Sequence, residues 1–378
     1  MKAARYCRSI LTNTEQRLPA NRFSLRLRKR FTLLFLISLS LSLVLAACSN
    51  SSSSTTSVTE KAQQSALKLN LVSFSVTQAA HAKIIPKFVA KWKKEHNQTV
   101  TFETSYGGSG SQTLAVIEGG QEADIVHLSL APDVQRLEQA GFIQPGWEQE
   151  FANDSVVSRS VVAIVTRAGN SKGINTWADL AKDGVRVLTP NPQTSGGARW
   201  NFLALWNAAL STGGNEAKAL EFVTAVYTNA PLLPETAREA TEAFFQAGQG
   251  DALLTYENEV ILKALNGQKL PYVIPEVNFS IDNPVAIVDK NVDQHGTRNV
   301  AQAFIEYLYT PEAQQEFAQI GYRPIDANIL SEKGLSNQFA KVKTLATAKD
   351  YGGWTDIQKK FFAEGAIFEK VLRSRQPS

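Results

Sequence analysis

Residues 190–200 read Pro190-Asn191-Pro192-Gln193-Thr194-Ser195-Gly196-Gly197-Ala198-Arg199-Trp200, a strand end, a turn of small residues and the start of a helix. A helix start of this kind holds an anion without any cation. Its first N–H groups have no intrahelical acceptor, the macrodipole adds about half a positive charge, and glycine lets a ligand come close to the backbone.

The same alternation extends to both sides. Apolar runs at 67–74, 100–104, 125–128, 156–166, 185–188, 252–256, 272–274 and 284–288 predict strands; amphipathic patterns at 78–96, 110–118, 198–210, 216–226, 237–246, 258–266 and 297–309 predict helices. Strand and helix alternate, which predicts an α/β chain with parallel sheets and crossover helices. About 310 residues of such pattern are enough for two lobes rather than one. The long run at 156–166 opens a new series and 283–292 closes it. The expected division is therefore 67–155 with 283–378 as the first lobe, some of its C-terminal helices packing on the other, and 156–282 as the second.

The N-terminus is of another kind. Arg22, Arg26, Arg28, Lys29 and Arg30 precede an uncharged apolar run that ends in Leu45-Ala46-Ala47-Cys48. This predicts a signal peptide over 1–47 with a lipoprotein-type cleavage site; the competing reading is a membrane-spanning anchor. Resemblance to bacterial lipoproteins implies that Cys48 is lipidated. The Ser- and Thr-rich stretch that follows reads as a tether, so 48–66 is expected to link an anchor to the folded body.

Of 39 basic and 35 acidic residues, 9 and 1 fall in the first 47, leaving 30 and 34, a net charge of −4 for the processed chain. Nucleic acid is thereby not expected as a partner, and a bound anion must be held by local dipoles. The only other cysteine is Cys7, so the processed body has no disulfide, thiolate metal site or cysteine nucleophile. His81, His96, His127 and His295 lack metal-type spacing, and neither metal nor cofactor is expected.

A second turn shares the design of the first, and a third opens another helix. Ser105-Tyr106-Gly107-Gly108-Ser109-Gly110-Ser111-Gln112 follows a strand and opens a helix, reading either as a Gly-rich cradle with Ser109 and Ser111 as added donors or as an ordinary capped loop. A nucleotide phosphate loop is not expected, since Gln112 stands where Lys would be required. Leu233-Pro234-Glu235-Thr236-Ala237-Arg238 reads, alone, as a capped helix start.

Taken with Gly250-Asp251, Glu257-Asn258-Glu259, Val288-Asp289-Lys290, Tyr307-Leu308-Tyr309, Pro311-Glu312, Tyr322-Arg323-Pro324 and Gly352-Gly353-Trp354, these turns carry a resemblance over 69–368. The chain resembles the periplasmic sulfate-binding proteins, the binding subunits of sulfate/thiosulfate ABC importers. The resemblance implies a two-lobed type II periplasmic-binding-protein fold with the ligand between lobes. It also implies one dehydrated sulfate held by neutral donors, and a membrane permease and ATPase complex as partners of a membrane-anchored periplasmic lipoprotein. Carried over residue by residue, the contacts are the Ser109 hydroxyl or N–H, Ser195 with the N–H groups of Gly196 and Gly197, the N–H of Ala237, and Tyr256 where the family has an indole donor. Phe74-Ser75-Val76-Thr77-Gln78 departs from the family's Tyr-Asp with a following Arg. Gly108, Arg199 and Arg238 stand behind these contacts, the two arginines read either as counter-charges or as ion-paired surface groups.

The bare chemistry agrees. The Gly-rich turns hold donors and no Asp or Glu. Sulfate is fully ionised near neutrality and only accepts, whereas phosphate keeps a proton that needs a buried acceptor. The competing ligands are thiosulfate and molybdate. Glu257 and Glu259 read as solvated or paired between lobes rather than as a catalytic dyad. The competing enzyme reading, a secreted serine hydrolase with Ser109 or Ser195 as nucleophile, lacks a Gly-x-Ser-x-Gly elbow, and no catalysis is expected.

Overall fold

A computed structural model describes residues 66–375 apart from 327, 333 and 336. The expected signal peptide, Cys48 and most of the expected tether lie outside the described residues. The strands are β1 (Leu67–Phe74), β2 (Val100–Gly107), β3 (Ile125–His127), β4 (Val156–Ser160), β5 (Val162–Thr166), β6 (Val187–Leu188), β7 (Ala252–Tyr256), β8 (Tyr272–Val273), β9 (Val277–Phe279), β10 (Ile281–Ile287) and β11 (Thr344–Ala346). The helices that position the site are α1 (Gln78–His96), α2 (Ser109–Ile117), α3 (Ala131–Gln139), α4 (Gly196–Ser211), α5 (Glu216–Thr228), α6 (Ala237–Phe245) and α7 (Glu257–Leu265).

Two main sheets organise the chain, one in the order β2-β1-β3-β10-β4 and one in the order β6-β7-β5-β8; β9 and β11 pair separately. The first sheet is parallel through β2, β1 and β3, then antiparallel at β10 and β4. In the second, β6 and β7 run parallel and β5 opposes both β7 and β8. The all-parallel expectation is thus corrected to mixed sheets, because β10 and β5 arrive from the opposite half rather than through a crossover helix on their own sheet.

The single strand expected over 156–166 is two. β4 pairs with β10, and β5 with β7. At the break, the side chain of Asn278 replaces a neighbouring strand: its Oδ1 accepts from Val162 N–H (3.0 Å) and its Nδ2 donates to Val162 O (2.9 Å). This satisfies a buried backbone pair where the chain changes sheets.

α1 buries Ala80, His81, Ile84, Phe88 and Trp92, a stripe at helical spacing against the first sheet, and ends at Asn97 in the left-handed conformation. α4 is buried nearly all round. Its faces are covered because it lies against β9 and α5 while Phe202 and Trp206 meet Phe361 of the C-terminal segment. Those helices cap the half built on the second sheet; the helix Ile367–Ser374 packs on α5.

Candidate functional site

Three helices start at one place. α2 begins after Gly108, α4 after Ser195, and α6 after Thr236, whose Oγ1 accepts from Glu239 N–H at 3.0 Å. Gly110 N–H donates to Thr194 O at 3.1 Å, and Thr194 Oγ1 donates to Glu235 O at 2.7 Å, so the turns touch directly. A Cβ at Gly108 would lie 2.6 Å from Thr194 O, and one at Gly197 would lie 2.7 Å from Tyr256 Cε2 and 3.2 Å from Ala237 Cβ. Side chains are excluded there by the close approach of backbone to backbone and to ring. Ser109, Ser195, Gly196, Gly197, Ala237 and Tyr256, read from four separate stretches of sequence, are therefore neighbours in the fold.

The amides of Ser109, Gly196, Gly197 and Ala237 have no acceptor among the described residues. Each belongs to the first turn of a helix, where the intrahelical ladder cannot reach it. Ser195 contributes differently: its N–H is used by Asn191 O at 2.8 Å, and its hydroxyl makes no cap to its own helix. Ser109 also divides its groups. Its hydroxyl donates to Asp133 Oδ2 at 2.6 Å and accepts from Ser129 N–H at 3.0 Å, so the hydroxyl is occupied and the N–H is the group left over.

Ser129 and Asp133 are absent from the sequence reading of the site. Ser129 follows β3 and is fully buried. Its Oγ lies 2.7 Å from Tyr256 Oη, and Trp200 Nε1 donates to its carbonyl (3.0 Å) and its Oγ (3.2 Å). Asn283 Nδ2 adds a bond to the same carbonyl at 3.2 Å. The signal was available: Ser129-Leu130-Ala131-Pro132-Asp133 is again a strand end, a small residue and a helix with proline in its first turn. Trp200 is thus both buried and a donor to Ser129.

Burial pushes the Tyr256 phenol up, only partly offset by its bond to Ser129, and the phenol stays protonated. Burial also raises the Asp133 carboxyl against the opposing charge of Arg199, the Ser109 bond and the charge of Arg136. Arg199 itself donates through Nε to Pro192 O (2.9 Å) and through Nη1 to Gln358 (3.1 Å). It braces the turn from behind. Arg238 pairs with Glu259 at 2.8 Å, and Arg323 grips Glu257 with two bonds of 2.7 and 3.0 Å. Glu257 and Glu259 are thus buried and paired, not solvated. Among the described residues no group of His, Cys, Asp or Glu has the form of a metal site.

The family model for bacterial extracellular solute-binding proteins matches residues 74–323. A sulfate-binding protein of Synechocystis sp. is 53% identical over 314 residues, spanning 83% of this chain and 88% of that protein. The chain belongs to the sulfate-binding protein family. A thiosulfate-binding protein of Pseudomonas aeruginosa is also similar, 35% identical over 313 residues that span 82% of this chain and 93% of the relative. The sulfate-binding family likeness extends to structure. The sulfate-binding protein of Mycobacterium tuberculosis superposes with a TM-score of 0.71 at 35% identity, spanning 78% of this chain and 99% of that one. The fold is the two-lobed α/β fold of periplasmic binding proteins, and the chain is an extracellular or periplasmic solute-binding protein. No helix among the described residues is long and apolar enough to cross a membrane.

Proposed function

We propose that this protein captures sulfate in the cleft between its two halves and delivers it to a membrane permease and ATPase of an ABC importer. The observation that carries this reading is the convergence of four amides, from Ser109, Gly196, Gly197 and Ala237, that have no acceptor among the described residues. The Ser195 and Tyr256 hydroxyls complete a set of donors. Hydrogen bonds to a charged ligand contribute about 1.5–3 kcal/mol each, and each helix start adds roughly 0.3–2 kcal/mol. A dianion that only accepts satisfies every donor, whereas a protonated oxyanion leaves its own O–H facing another donor.

The lobes we assign are 67–155 with 283–378, and 156–282; the change of sheet between β4 and β5 supports a crossing in this region. Closure over the ion makes or breaks no covalent bond. The hydrolase alternative is disfavoured because the Ser109 hydroxyl is bonded to Asp133 and Ser129, and neither Ser109 nor Ser195 is bonded to a histidine among the described residues. Cys48 supplies the lipid anchor. Detergent partitioning tests that part: the wild type enters the detergent phase, and a Cys48→Ala variant that does so equally contradicts it.

Equilibrium dialysis with labelled sulfate tests the ligand. One site per chain is expected, displaced by unlabelled sulfate, less readily by thiosulfate and molybdate, and least by phosphate. Thiosulfate displacing the label at lower concentration than sulfate would reassign the ligand; no retention of label would reject the reading.

A further inference from the structure

Tyr256 Oη and Ser129 Oγ share one hydrogen bond of 2.7 Å across the cleft, and both oxygens are buried. Each hydroxyl has a single proton, so two protons serve this pair and only one lies between the oxygens. The other must point elsewhere. Ser129 Oγ already accepts from Trp200 Nε1 at 3.2 Å, and no other acceptor for either hydroxyl exists among the described residues. A Cβ at Gly197 would stand 3.1 Å from Tyr256 Oη, which places that oxygen beside the free amide of Gly197.

Acidity decides which proton faces the cleft. A phenol is a stronger donor than an aliphatic hydroxyl, and the strongest donor pairs with the charged acceptor. We propose that Ser129 is a positioning residue that fixes the donor direction of Tyr256: Trp200 N–H donates to Ser129, Ser129 O–H donates to Tyr256, and Tyr256 O–H is left as a donor aimed at the bound oxyanion. Ser129 itself does not touch the ligand. Because Tyr256 cannot turn to accept while Ser129 donates to it, the relay rejects an oxyanion that presents an O–H. It therefore contributes to selectivity for fully ionised sulfate over hydrogen phosphate. The inference rests on the sulfate reading of the cleft.

Its test is a double-substitution cycle of Ser129→Ala and Tyr256→Phe, with dissociation constants for sulfate and for phosphate measured by calorimetry in each background. Ser129→Ala is expected to weaken sulfate binding about tenfold, as for part of one hydrogen bond to a charged ligand. It should also narrow the sulfate-to-phosphate ratio, since the freed phenol can rotate to accept a phosphate proton. In the Tyr256→Phe background, Ser129→Ala should cost nothing further. The ratio of the two constants does not depend on the fraction of folded protein, so it separates positioning from general destabilisation. Losses that simply add, or a Ser129→Ala protein with an unchanged ratio, would overturn the relay while leaving sulfate binding intact. A wild type that binds no sulfate instead removes the reading beneath it.

Discussion

Gly196 lies against Ser129 so closely that a Cβ there would stand 2.6 Å from both the Cβ and the Oγ of Ser129. Ser129 follows a strand of the first sheet and Gly196 opens a helix that packs on the second half, so this is one of the contacts where the two halves meet at the site. Even one methyl group at 196 therefore acts on closure rather than on either core. Gly196→Ala is expected to lower sulfate affinity by about a hundredfold or more, as for the loss of two amide bonds to a charged ligand. The melting temperature of the ligand-free protein should be nearly unchanged. Small-angle scattering checks the mechanism: the wild type compacts on adding sulfate and the variant does not.

The second prediction concerns acid stability. His81 Nε2 and His127 Nδ1 lie 3.1 Å apart in the core, with Tyr106 Oη 3.2 Å from His81 Nδ1. Burial lowers His81 to about 3, and burial followed by the charge of His81 lowers His127 well below its ordinary value. A histidine depressed in the folded state binds its proton better when unfolded. Stability is therefore complete above the unfolded pKa of about 6.5 and is lost as pH falls below it, by about 1.4 kcal/mol per pH unit for each ring. Urea denaturation at pH 7.5 and pH 5 should show this decline. A His81→Gln, His127→Gln double variant should show less of it, and an equal decline in both proteins would contradict the assignment.

Arg323 and Glu257 give a third. Burial raises the Glu257 carboxyl, opposed by the bond and charge of Arg323. Removing the arginine leaves a buried carboxylate alone, at a cost of about 3–5 kcal/mol. In Arg323→Ala the folded-state pKa of Glu257 rises further above the unfolded value, so the folded protein binds the proton better. The variant should regain stability relative to the wild type as pH falls through that raised pKa, the histidine loss being common to both. Adding Glu257→Gln should restore much of the loss at neutral pH. Denaturation midpoints of the wild type and of the single and double variants at pH 7 and pH 5 check both statements.

The helix starts at Ser109 and Gly196 were legible because small residues follow a strand and precede an apolar period of 3.6, and the one at Ala237 because Pro234 and Thr236 cap it, patterns with a local physical cause. The break within 156–166 was not. Every residue there tolerates a strand, and what divides it is Asn278, more than a hundred positions away. Strand direction at β10 was equally hidden, since it depends on the half from which the chain returns. Tyr256 was placed in the site by family resemblance alone, whereas its pairing with Ser129 needed the fold: the helix start after Ser129 is legible, but nothing local says that it faces a residue 127 positions away. The pairing of Glu259 with Arg238 and of Glu257 with Arg323 also depends on contacts that spacing does not encode.

The central claim is that sulfate sits on the free amides of three converging helix starts. A crystal structure of the selenate complex tests it most directly, because selenium gives an anomalous signal and selenate keeps the shape and charge of sulfate. One strong peak is predicted, its oxygens within about 3 Å of the amide nitrogens of Ser109, Gly196, Gly197 and Ala237. A principal peak elsewhere, such as the groove of about 770 Å³ beside Trp177 and Phe222, would contradict the account.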